Sequence, residues 1–504
     1  MTQKKALIKG ALLLTIASIL TRFIGFFYRI FLSNMIGAEG MGIYQLIFPI
    51  YALCHSITAA ALQTSISHDV ATQVALHQPK NAKTTLNAGL LISLSLSLSI
   101  CFIVFRYADF IAIYILGEER CSDLLKIMVL AIPFSSIHSC INGYYYGLQK
   151  ATVPAFSQLL EQIVRVFSNY LLVSIYIRNG YAISPSLAVW GLFLGELASS
   201  IYSILAASLH FTNKDTTGNS GLIDRGKLLL ELSIPLTLNR IMLNLLQSTE
   251  AILIPSKLRL FGLDSSASLE VYGILTGMAM PFIFFPSALT GSISVLLLPN
   301  IAQAESGHNT LQLKKNSSFG IQTSLLVGIL FTGIFIFYGQ QMGTIIFNND
   351  KSGSFIVTLA WLCPFLYLAS TLGSILHGLK EMSTTFFHNI ICNLIRIFFI
   401  WVFVPKVGIN GYLWGILISQ ILITFLHWFR IKKIIGLSFE PYVWLVKPIF
   451  ALFIGLGIDF FIIKPIPFFH ILSPIWNLGF HCLIVCIAYS IVILLTNTIS
   501  LKNT

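Results

Sequence analysis

The sequence predicts an all-α integral membrane protein with about 14 transmembrane helices, arranged as two six-helix lobes followed by a pair of C-terminal helices. Three observations support this fold class. Of the 504 residues, 56% are hydrophobic and only 10% are charged, so the chain cannot cover itself with a water-soluble surface. Apolar runs of helical length recur along the chain, and one long segment is repeated at a fixed offset.

Each apolar run is expected to be a helix, because a helix satisfies its own backbone groups and unsatisfied groups cannot face lipid. Four prolines inside runs, Pro133, Pro281, Pro286 and Pro364, are expected to free carbonyls that neighbouring helices or water must satisfy. The fourteen runs are 6–32, 42–68, 86–106, 124–147, 153–178, 186–211, 228–255, 271–300, 317–340, 354–377, 385–404, 410–430, 441–463 and 475–497.

The distribution of basic residues between the runs predicts the orientation. Sixteen Lys and Arg fall on the side of the N-terminus and eight on the opposite side. Because positive residues favour the cytoplasmic face, both termini are expected to be cytoplasmic, in a multi-pass protein of the cell membrane. The net charge of +12 then reflects topology, and nucleic-acid binding is not predicted.

An internal repeat determines the predicted architecture. Residues 133–165 and 364–396 both open on Pro-Phe and both end on an arginine, at a constant offset of 231. Upstream, the segment 62–67 (LQTSIS) parallels 289–294 (LTGSIS). A repeat of six helices, an even number, gives both copies the same orientation, related by an axis along the membrane normal.

The repeat predicts three regions. The N-lobe is 1–226, the C-lobe is 227–436 and the terminal helix pair is 437–504. The segment 210–227 is polar and contains glycine, as expected for a linker between lobes.

The motif TRFIGFFYR at 21–29, the segment GAEGMGIYQL at 37–46 and the two-lobe repeat carry a family resemblance. The chain resembles the stage V sporulation protein B group of polysaccharide-biosynthesis transporters. This group is related to the lipid II flippases of the multidrug/oligosaccharidyl-lipid/polysaccharide exporter superfamily. The resemblance implies a V-shaped fold enclosing a cavity, a lipid-linked, phosphate-bearing glycan as substrate, and a groove for the lipid tail beside the terminal helix pair.

Polar stripes on several predicted helices indicate where such a cavity lies. In the first helix, Thr15, Ser18, Arg22, Gly25 and Arg29 recur every three or four residues and so share one face. An arginine near the bilayer centre costs about 2.5–3.5 kcal/mol on insertion scales. We therefore expect this face to line water.

Other predicted helices add polar residues to the same cavity. The complete set of expected binding residues is Arg22, Arg29, Arg165, Arg240, Arg396, Asn244, Glu161 and Glu250. A guanidinium stays protonated and binds a phosphate through two parallel hydrogen bonds, so a diphosphate is the expected ligand. The eighth run, where lipid II flippases usually have an arginine, contains no charged residue, and Arg240 is expected to supply that charge.

Each residue also has a structural interpretation. Glu161 and Arg165, four apart, can pair on their own helix, and Arg165 and its repeat equivalent Arg396 can be anchors of the fold. For Arg22, Arg29 and Arg240 no acidic residue lies three or four positions away. Glu196, Glu231 and Glu250 can be counter-charges or parts of a proton or cation site.

No enzymatic chemistry is predicted. The eight cysteines form no CxxC pair or Cys/His zinc pattern, and neither a Walker A loop nor a GxSxG motif occurs. We predict no catalytic residue, cofactor or metal site. The predicted function is the movement of a lipid-linked oligosaccharide, with a peptidoglycan precursor as first candidate, across the bilayer by alternating access. Envelope-synthesis enzymes are further candidate partners. The alternatives are a multidrug/cation antiporter and a non-transporting scaffold for envelope synthesis.

Overall fold

A computed structural model describes residues 3–210, 221–466 and 473–496, and every long element in them is a helix. The chain forms two compact units, 1–256 with 264–273, and 257–263 with 274–504. The middle of the predicted linker, 211–220, lies outside the described residues. The predicted regions 1–226, 227–436 and 437–504 follow the sequence repeat, and they remain a prediction.

The described residues of the first unit form nine long or medium helices. They are α1 Gln3–His55, α2 Ala61–Ala75, α3 Pro79–Arg106, α4 Cys121–Val129, α5 Ala131–Gly147, α6 Thr152–Arg178, α7 Ser186–His210, nearly all of α8 Leu222–Leu260, and α9 Ser265–Gly273. Helix α1 is broken at Gly37, whose φ of 71° and ψ of 179° are not helical. This break lies between the first two predicted runs, 6–32 and 42–68.

The second unit contains the remaining helices. They are α10 Ser287–Ser306, α11 Thr310–Phe347, α12 Asp350–Leu359, α13 Cys363–Gly378, α14 Met382–Val402, α15 Ile409–Ile435, α16 Lys447–Ile458 and α17 Pro474–Leu495. Short π-helical stretches precede and follow α16, at Tyr442–Val446 and Asp459–Ile463. Buried Leu and Ile side chains from α10, α11, α13 and α15 form a core that Trp444 closes.

The helices confirm a membrane protein of about 14 spans. Thirteen helical segments among the described residues are long and apolar enough to cross a bilayer. The first of them, Leu13–Ala75, contains two predicted runs, and the eighth run is divided between Ser265–Phe284 and Ser287–Ser306. The predicted fifth helix is present as α6, whose 27 residues can span the membrane although its centre carries Glu161 and Arg165.

The four prolines singled out in the sequence interrupt the helical hydrogen bonding inside apolar segments. Pro133 is the third residue of α5, Pro364 is the second residue of α13, and Pro281 opens the short helix Met280–Phe284. Pro286 is the N-cap of α10. The residues just before them keep helical dihedrals, so the helical path continues through each proline.

One freed carbonyl has a partner on a neighbouring helix. The Thr332 hydroxyl of α11 donates to the Ala360 carbonyl at 3.2 Å, and Ala360 lies four residues before Pro364. This is the contact expected for a carbonyl that a proline cannot engage.

The internal repeat is visible in the backbone. Three pairs of helix-end residues have positive φ and lie 231 positions apart: His77 and His308, Gly117 and Asn348, and Gln149 and Lys380. In each pair, the N–H of the residue that follows donates to a helix carbonyl, and the two carbonyls are also 231 positions apart. For example, Lys150 donates to Tyr145 and Glu381 donates to Leu376. Five of these six residues are not glycine, so the copies share an uncommon helix end.

The packing of two glycines corrects the register of the upstream repeat. A Cβ on Gly147 would meet Val70 and the Ser67 carbonyl, and a Cβ on Gly378 would meet Ile301 and the Leu298 carbonyl. These contacts make Leu298, 231 residues on, the equivalent of Ser67. The predicted parallel between 62–67 and 289–294 is therefore wrong by four residues, about one helical turn.

Helices α1 and α9 cross in direct backbone contact. A Cβ on Gly42 would lie 2.1 Å from the Leu269 carbonyl oxygen, and a Cβ on Gly273 would lie 2.0 Å from the Ala38 oxygen. The contact is reciprocal, since Gly42 faces the carbonyl four residues before Gly273, and Gly273 faces the carbonyl four residues before Gly42. The two glycines lie 231 residues apart, and so do the two carbonyls. Only glycine permits this approach.

Two polar networks hold helix ends in the first unit. Arg225 of α8 donates to the buried Asp69 carboxylate of α2, with an Nη1–Oδ1 distance of 3.1 Å. Separately, Arg120 donates to Glu118 at 2.6 Å, and Ser265 of α9 donates to the same carboxylate at 3.0 Å. Burial raises the pKa of Glu118, but the Arg120 and Ser265 hydrogen bonds outweigh burial and leave this pKa below its ordinary value.

Candidate functional site

Three of the predicted arginines lie in the first unit with exposed side chains and no ion pair to any described residue. Arg22 and Arg29 belong to the first part of α1, before the break at Gly37. Arg240 of α8 only approaches the Thr64 hydroxyl, at 3.5 Å. Within the part of the chain that the structure describes, no acidic side chain therefore compensates the charges of these three guanidinium groups.

Arg29 lies beside a fourth arginine, Arg165 of α6. Both guanidinium groups are within electrostatic range of the Tyr28 and Tyr44 hydroxyls on α1. Tyr28 accepts a hydrogen bond of 2.9 Å from Asn169, one turn beyond Arg165. The α1 helix that carries the first stripe therefore packs against the α6 helix that carries the second, and their shared cavity remains a prediction.

Arg165 is held by acidic residues on both sides. Its Nη2 donates to Glu161 on the preceding turn of α6, and the same nitrogen lies 3.8 Å from Glu196 on α7. Helix α7 comes this close because Gly195 has no side chain, and a Cβ there would lie 2.8 Å from the Glu161 carbonyl oxygen. The predicted Glu161–Arg165 pair is therefore present, and a second carboxylate joins it.

Glu196 is the centre of a network that the sequence did not predict. It accepts hydrogen bonds from the Tyr51 hydroxyl at 2.8 Å and from His138 Nε2 at 2.7 Å. His138 lies on α5 opposite this buried carboxylate. No sequence spacing reveals this contact, because the three side chains come from α1, α5 and α7.

The His138, Glu161 and Glu196 ligand atoms lie within 4.8 Å of one another, a spacing compatible with a metal ion. However, Glu161 is occupied by Arg165, and Glu196 accepts from Tyr51 and His138. A guanidinium beside the carboxylates repels a second cation. We therefore interpret the group as an ion-pair network and not as a metal centre.

Asn244 and Glu250 of α8 are placed less directly at this site. The Asn244 amide nitrogen donates to the Ala52 carbonyl at 3.3 Å and to the Ser56 hydroxyl, so it joins α8 to the end of α1. Glu250 is buried. Both residues remain candidates for binding, with a packing role now visible for Asn244.

The last predicted residue, Arg396, belongs to α14 in the second unit, where it donates to Asn393. The repeat offset of 231 aligns Arg396 with Arg165, but it aligns Glu161 with Cys392 and His138 with Ala369. The ion-pair network around Arg165 therefore has no counterpart at the aligned positions of the second copy.

The terminal helices contain another buried carboxylate that the sequence placed only near a helix end. Asp459, which follows α16, is 1% exposed and accepts hydrogen bonds from Tyr338 of α11 and His481 of α17. The His481 Nδ1–Oδ1 distance is 2.7 Å. This triad fastens the terminal helix pair to α11.

An apolar cavity of ≈ 370 Å³ opens in the second unit. Its walls come from α11, α13 and α15 and from the segment that leads into α16. The lining residues are Ile321, Leu325, Pro364, Phe365, Leu368, Thr424, Phe425, Trp428, Phe439 and Leu445.

Residues 7–305 match the model of a family described as polysaccharide biosynthesis protein. The chain belongs to this family. Within it, the chain is 27% identical over 443 residues to stage V sporulation protein B of Bacillus subtilis (strain 168), covering 87% of this chain and 86% of the relative.

Solved structures with the same fold connect this polysaccharide biosynthesis protein to two groups of transporters. The lipid II flippase MurJ in an inward closed conformation has a TM-score of 0.69 at 15% identity, covering 95% of this chain and 98% of that one. An inward-facing multidrug resistance MATE transporter has a TM-score of 0.67 at 15% identity, covering 82% and 94%. The chain therefore shares the fold of these two groups of membrane transporters.

Proposed function

We propose that this protein moves a lipid-linked oligosaccharide across the cytoplasmic membrane by alternating access, with both termini in the cytoplasm. The substrate class is a polyprenyl diphosphate glycan, and a peptidoglycan precursor is the first candidate. The related stage V sporulation protein B and the MurJ fold support this class. No bond is made or broken, and bilayer lipids are the surrounding partners.

The observation that carries the proposal is the uncompensated positive charge of the first unit. Arg22, Arg29 and Arg240 form no ion pair with described residues, although they lie in membrane helices. An arginine is expensive in hydrocarbon, so helices that keep three of them must offer water or an anion to each. A diphosphate supplies the anion and accepts paired guanidinium hydrogen bonds.

The lipid part of the substrate has a matching surface in the second unit. The apolar cavity beside α16 is lined almost entirely by aliphatic and aromatic side chains. Such a surface binds hydrocarbon because burial removes apolar area from water, with a favourable free energy of roughly 25 cal/mol per Å² buried. We propose that the polyprenyl tail, or the part of it nearest the diphosphate, occupies this cavity, in agreement with the role expected for the terminal helix pair.

The two alternatives make different demands on the same residues. A multidrug/cation antiporter of the MATE type has a fold of nearly equal similarity, but it should bind cations, and the first part of α1 offers arginines. A scaffold for envelope-synthesis enzymes needs no charged cavity. Uncompensated arginine therefore favours the transport of an anionic lipid over both.

A reconstitution assay tests the proposal. Purified protein in liposomes is given fluorescent lipid II, and in parallel other lipid-linked sugars, and the fraction moved between leaflets is followed. Replacement of Arg22, Arg29 or Arg240 by glutamine should slow flipping by roughly 10- to 100-fold, because a hydrogen bond to a charged group contributes about 1.5–3 kcal/mol. Lysine should restore part of the rate, since it keeps the charge but not the paired geometry.

The control is Arg106→Gln, at the end of α3 and outside the stripe. This variant should flip the lipid at the wild-type rate. In cells, normal function of the Arg22→Ala/Arg29→Ala double variant at wild-type protein levels would favour the scaffold. Drug resistance that survives the same double substitution would favour the antiporter. Unchanged lipid flipping in all three single glutamine variants would refute the role given to these residues.

A further inference from the structure

We propose that His138 and Glu196 form a proton-binding site in the first unit, which takes up one proton from water and thereby changes the charge felt by Arg165. The binding of the proton follows from the structure of this unit alone. Its coupling to transport rests on the function proposed above.

The charge balance of the buried network is the first argument. Glu161 and Glu196 each carry one negative charge, and Arg165 carries one positive charge. With a neutral His138 the group therefore has a net charge of minus one, in a helix bundle where isolated charges are costly. A proton on His138 brings the sum to zero. Glu196, only 4% exposed, is placed to hold that proton at 2.7 Å.

The second argument comes from the other ring nitrogen. Facing a carboxylate, His138 Nε2 must carry hydrogen, so in the neutral ring Nδ1 is an acceptor, and Asn142 Nδ2 lies 3.5 Å from it. A second proton turns Nδ1 into a donor, which needs an oxygen. Asn142 Oδ1 is buried and has no hydrogen-bond partner among the described residues, so rotation of this amide supplies the acceptor and breaks none of the described bonds at Oδ1.

Other charged and titratable groups face the pair from each side. Helix α1 contributes Tyr51, which donates to Glu196, and His55, whose ring stacks on Tyr51 and contacts Ser135. Helix α6 contributes Glu161 and Arg165, and Arg240 of α8 acts electrostatically on His55. The two carboxylates are the groups that favour a positive charge on His138, and the two arginines oppose it.

The consequence for Arg165 follows from Glu196. When His138 is neutral, the full charge of Glu196 attracts the Arg165 guanidinium at 3.8 Å. When His138 is protonated, its positive charge offsets the charge of Glu196 at the other carboxylate oxygen. Glu196 then attracts the Arg165 guanidinium less strongly. The guanidinium is then freer to bind an anion. Proton uptake and phosphate binding should therefore favour each other, since coupling between two sites is reciprocal.

The direct test is nuclear magnetic resonance of the purified protein labelled with ¹⁵N-histidine, titrated from pH 8 to pH 5. His138→Gln identifies the signal by its loss, and His68→Gln, at an exposed position of α2, provides the matched control. The wild-type signal should change from the Nε2–H tautomer to the doubly protonated ring. In Glu196→Gln the midpoint should fall by about 1–3 pH units, because the opposite charge is gone.

A second variant keeps the test valid if His138→Gln does not fold. Asn142→Ala leaves the ion pair in place and removes the acceptor for Nδ1–H, so the midpoint should again fall. A His138 signal that stays neutral to pH 5, or a midpoint unchanged in both Glu196→Gln and Asn142→Ala, overturns the site. So does a signal that responds to added Na⁺ at constant pH and not to protons.

Transport is measured separately. In liposomes, the pH on each side is set independently, and flipping by wild type is compared with flipping by Glu196→Gln. A pH-dependent rate in wild type that Glu196→Gln abolishes supports coupling. A normal His138 titration without flipping of any lipid-linked sugar would refute the proposed function and leave the proton site standing. Flipping by a protein whose His138 does not titrate would refute the proton site and leave the proposed function standing.

Discussion

Replacing Gly273 with alanine should force α1 and α9 apart. The new Cβ would lie 2.0 Å from the Ala38 oxygen and 2.5 Å from the Gly42 nitrogen. Ordinary contacts of carbon are about 3.5 Å, so the two backbones must separate by roughly 1 Å or more at the crossing. Overpacking of this kind typically costs about 1–3 kcal/mol, and here the clashing atoms are backbone and cannot rotate away.

The assay is the thermal unfolding of purified protein in detergent, followed by the loss of the monodisperse peak. The Tm of Gly273→Ala should fall by roughly 2–12 °C, using about 2–4 °C per kcal/mol for a unit of this size. Gly42→Ala should behave alike, since its Cβ would lie 2.1 Å from the Leu269 oxygen.

The matched control is Gly457→Ala on α16, where no atom lies within 4 Å of the new Cβ. Alanine is the better helix former there, and the Tm should stay or rise slightly. The double variant Gly42→Ala/Gly273→Ala should cost less than the sum of the single variants, because one separation relieves both clashes. If Gly273→Ala unfolds at the wild-type temperature, the close crossing does not exist and the reasoning fails.

Three other predictions concern the polar networks. Arg225→Met should lower the Tm markedly, because removing one partner of a buried pair costs about 3–5 kcal/mol. The addition of Asp69→Leu should restore part of the lost Tm, because it removes the carboxylate left without its partner. The stability difference between wild type and Glu118→Gln should be fully present at neutral pH and shrink only as the pH falls below about 4.3, the ordinary Glu value, since the lowered pKa of Glu118 means that this network stabilises only while the carboxylate is charged. Asp459→Asn should loosen the terminal helix pair, measured as faster proteolysis after α15, whereas Asp350→Asn in the exposed first turn of α12 should not.

Most of the helices could be predicted because membrane spans are long and continuously apolar. Apolar composition alone does not show the boundaries at which helical hydrogen bonding is interrupted within a run. Leu130 and Pro286 are such boundaries, and they matter for the backbone hydrogen bonds but not for hydropathy. The break at Gly37 was predicted, since glycine with polar neighbours interrupts the apolar pattern there.

The repeat was correctly recognised at its best-matched segment and misaligned upstream. Similar letters at 62–67 and 289–294 are one helical turn out of register, because Leu, Ser and Ile recur often enough in membrane helices to match by chance. The helix ends and glycine contacts fix the offset at 231, since backbone geometry is less degenerate than composition.

The candidate site was predictable only along single helices. A three- or four-residue rhythm identifies the stripe of Arg22 and Arg29 and the pair of Glu161 and Arg165. Glu196 was noted as a possible counter-charge, but its bond to His138 joins residues 58 apart on different helices. Such contacts depend on how helices rotate and tilt against one another, which one sequence does not encode in any local pattern.

The matched helix ends of the two copies have a consequence for how this duplicated architecture divides its work. A common backbone was retained at Gln149 and Lys380, while the acid and imidazole beside Arg165 are replaced by Cys392 and Ala369 around Arg396. Under the proposal above, the first copy carries a proton-binding pair beside its arginine, and the second copy keeps the same helix end without one. A change of pH would then alter the charge around one arginine of the duplicated pair and leave the surroundings of the other as they were.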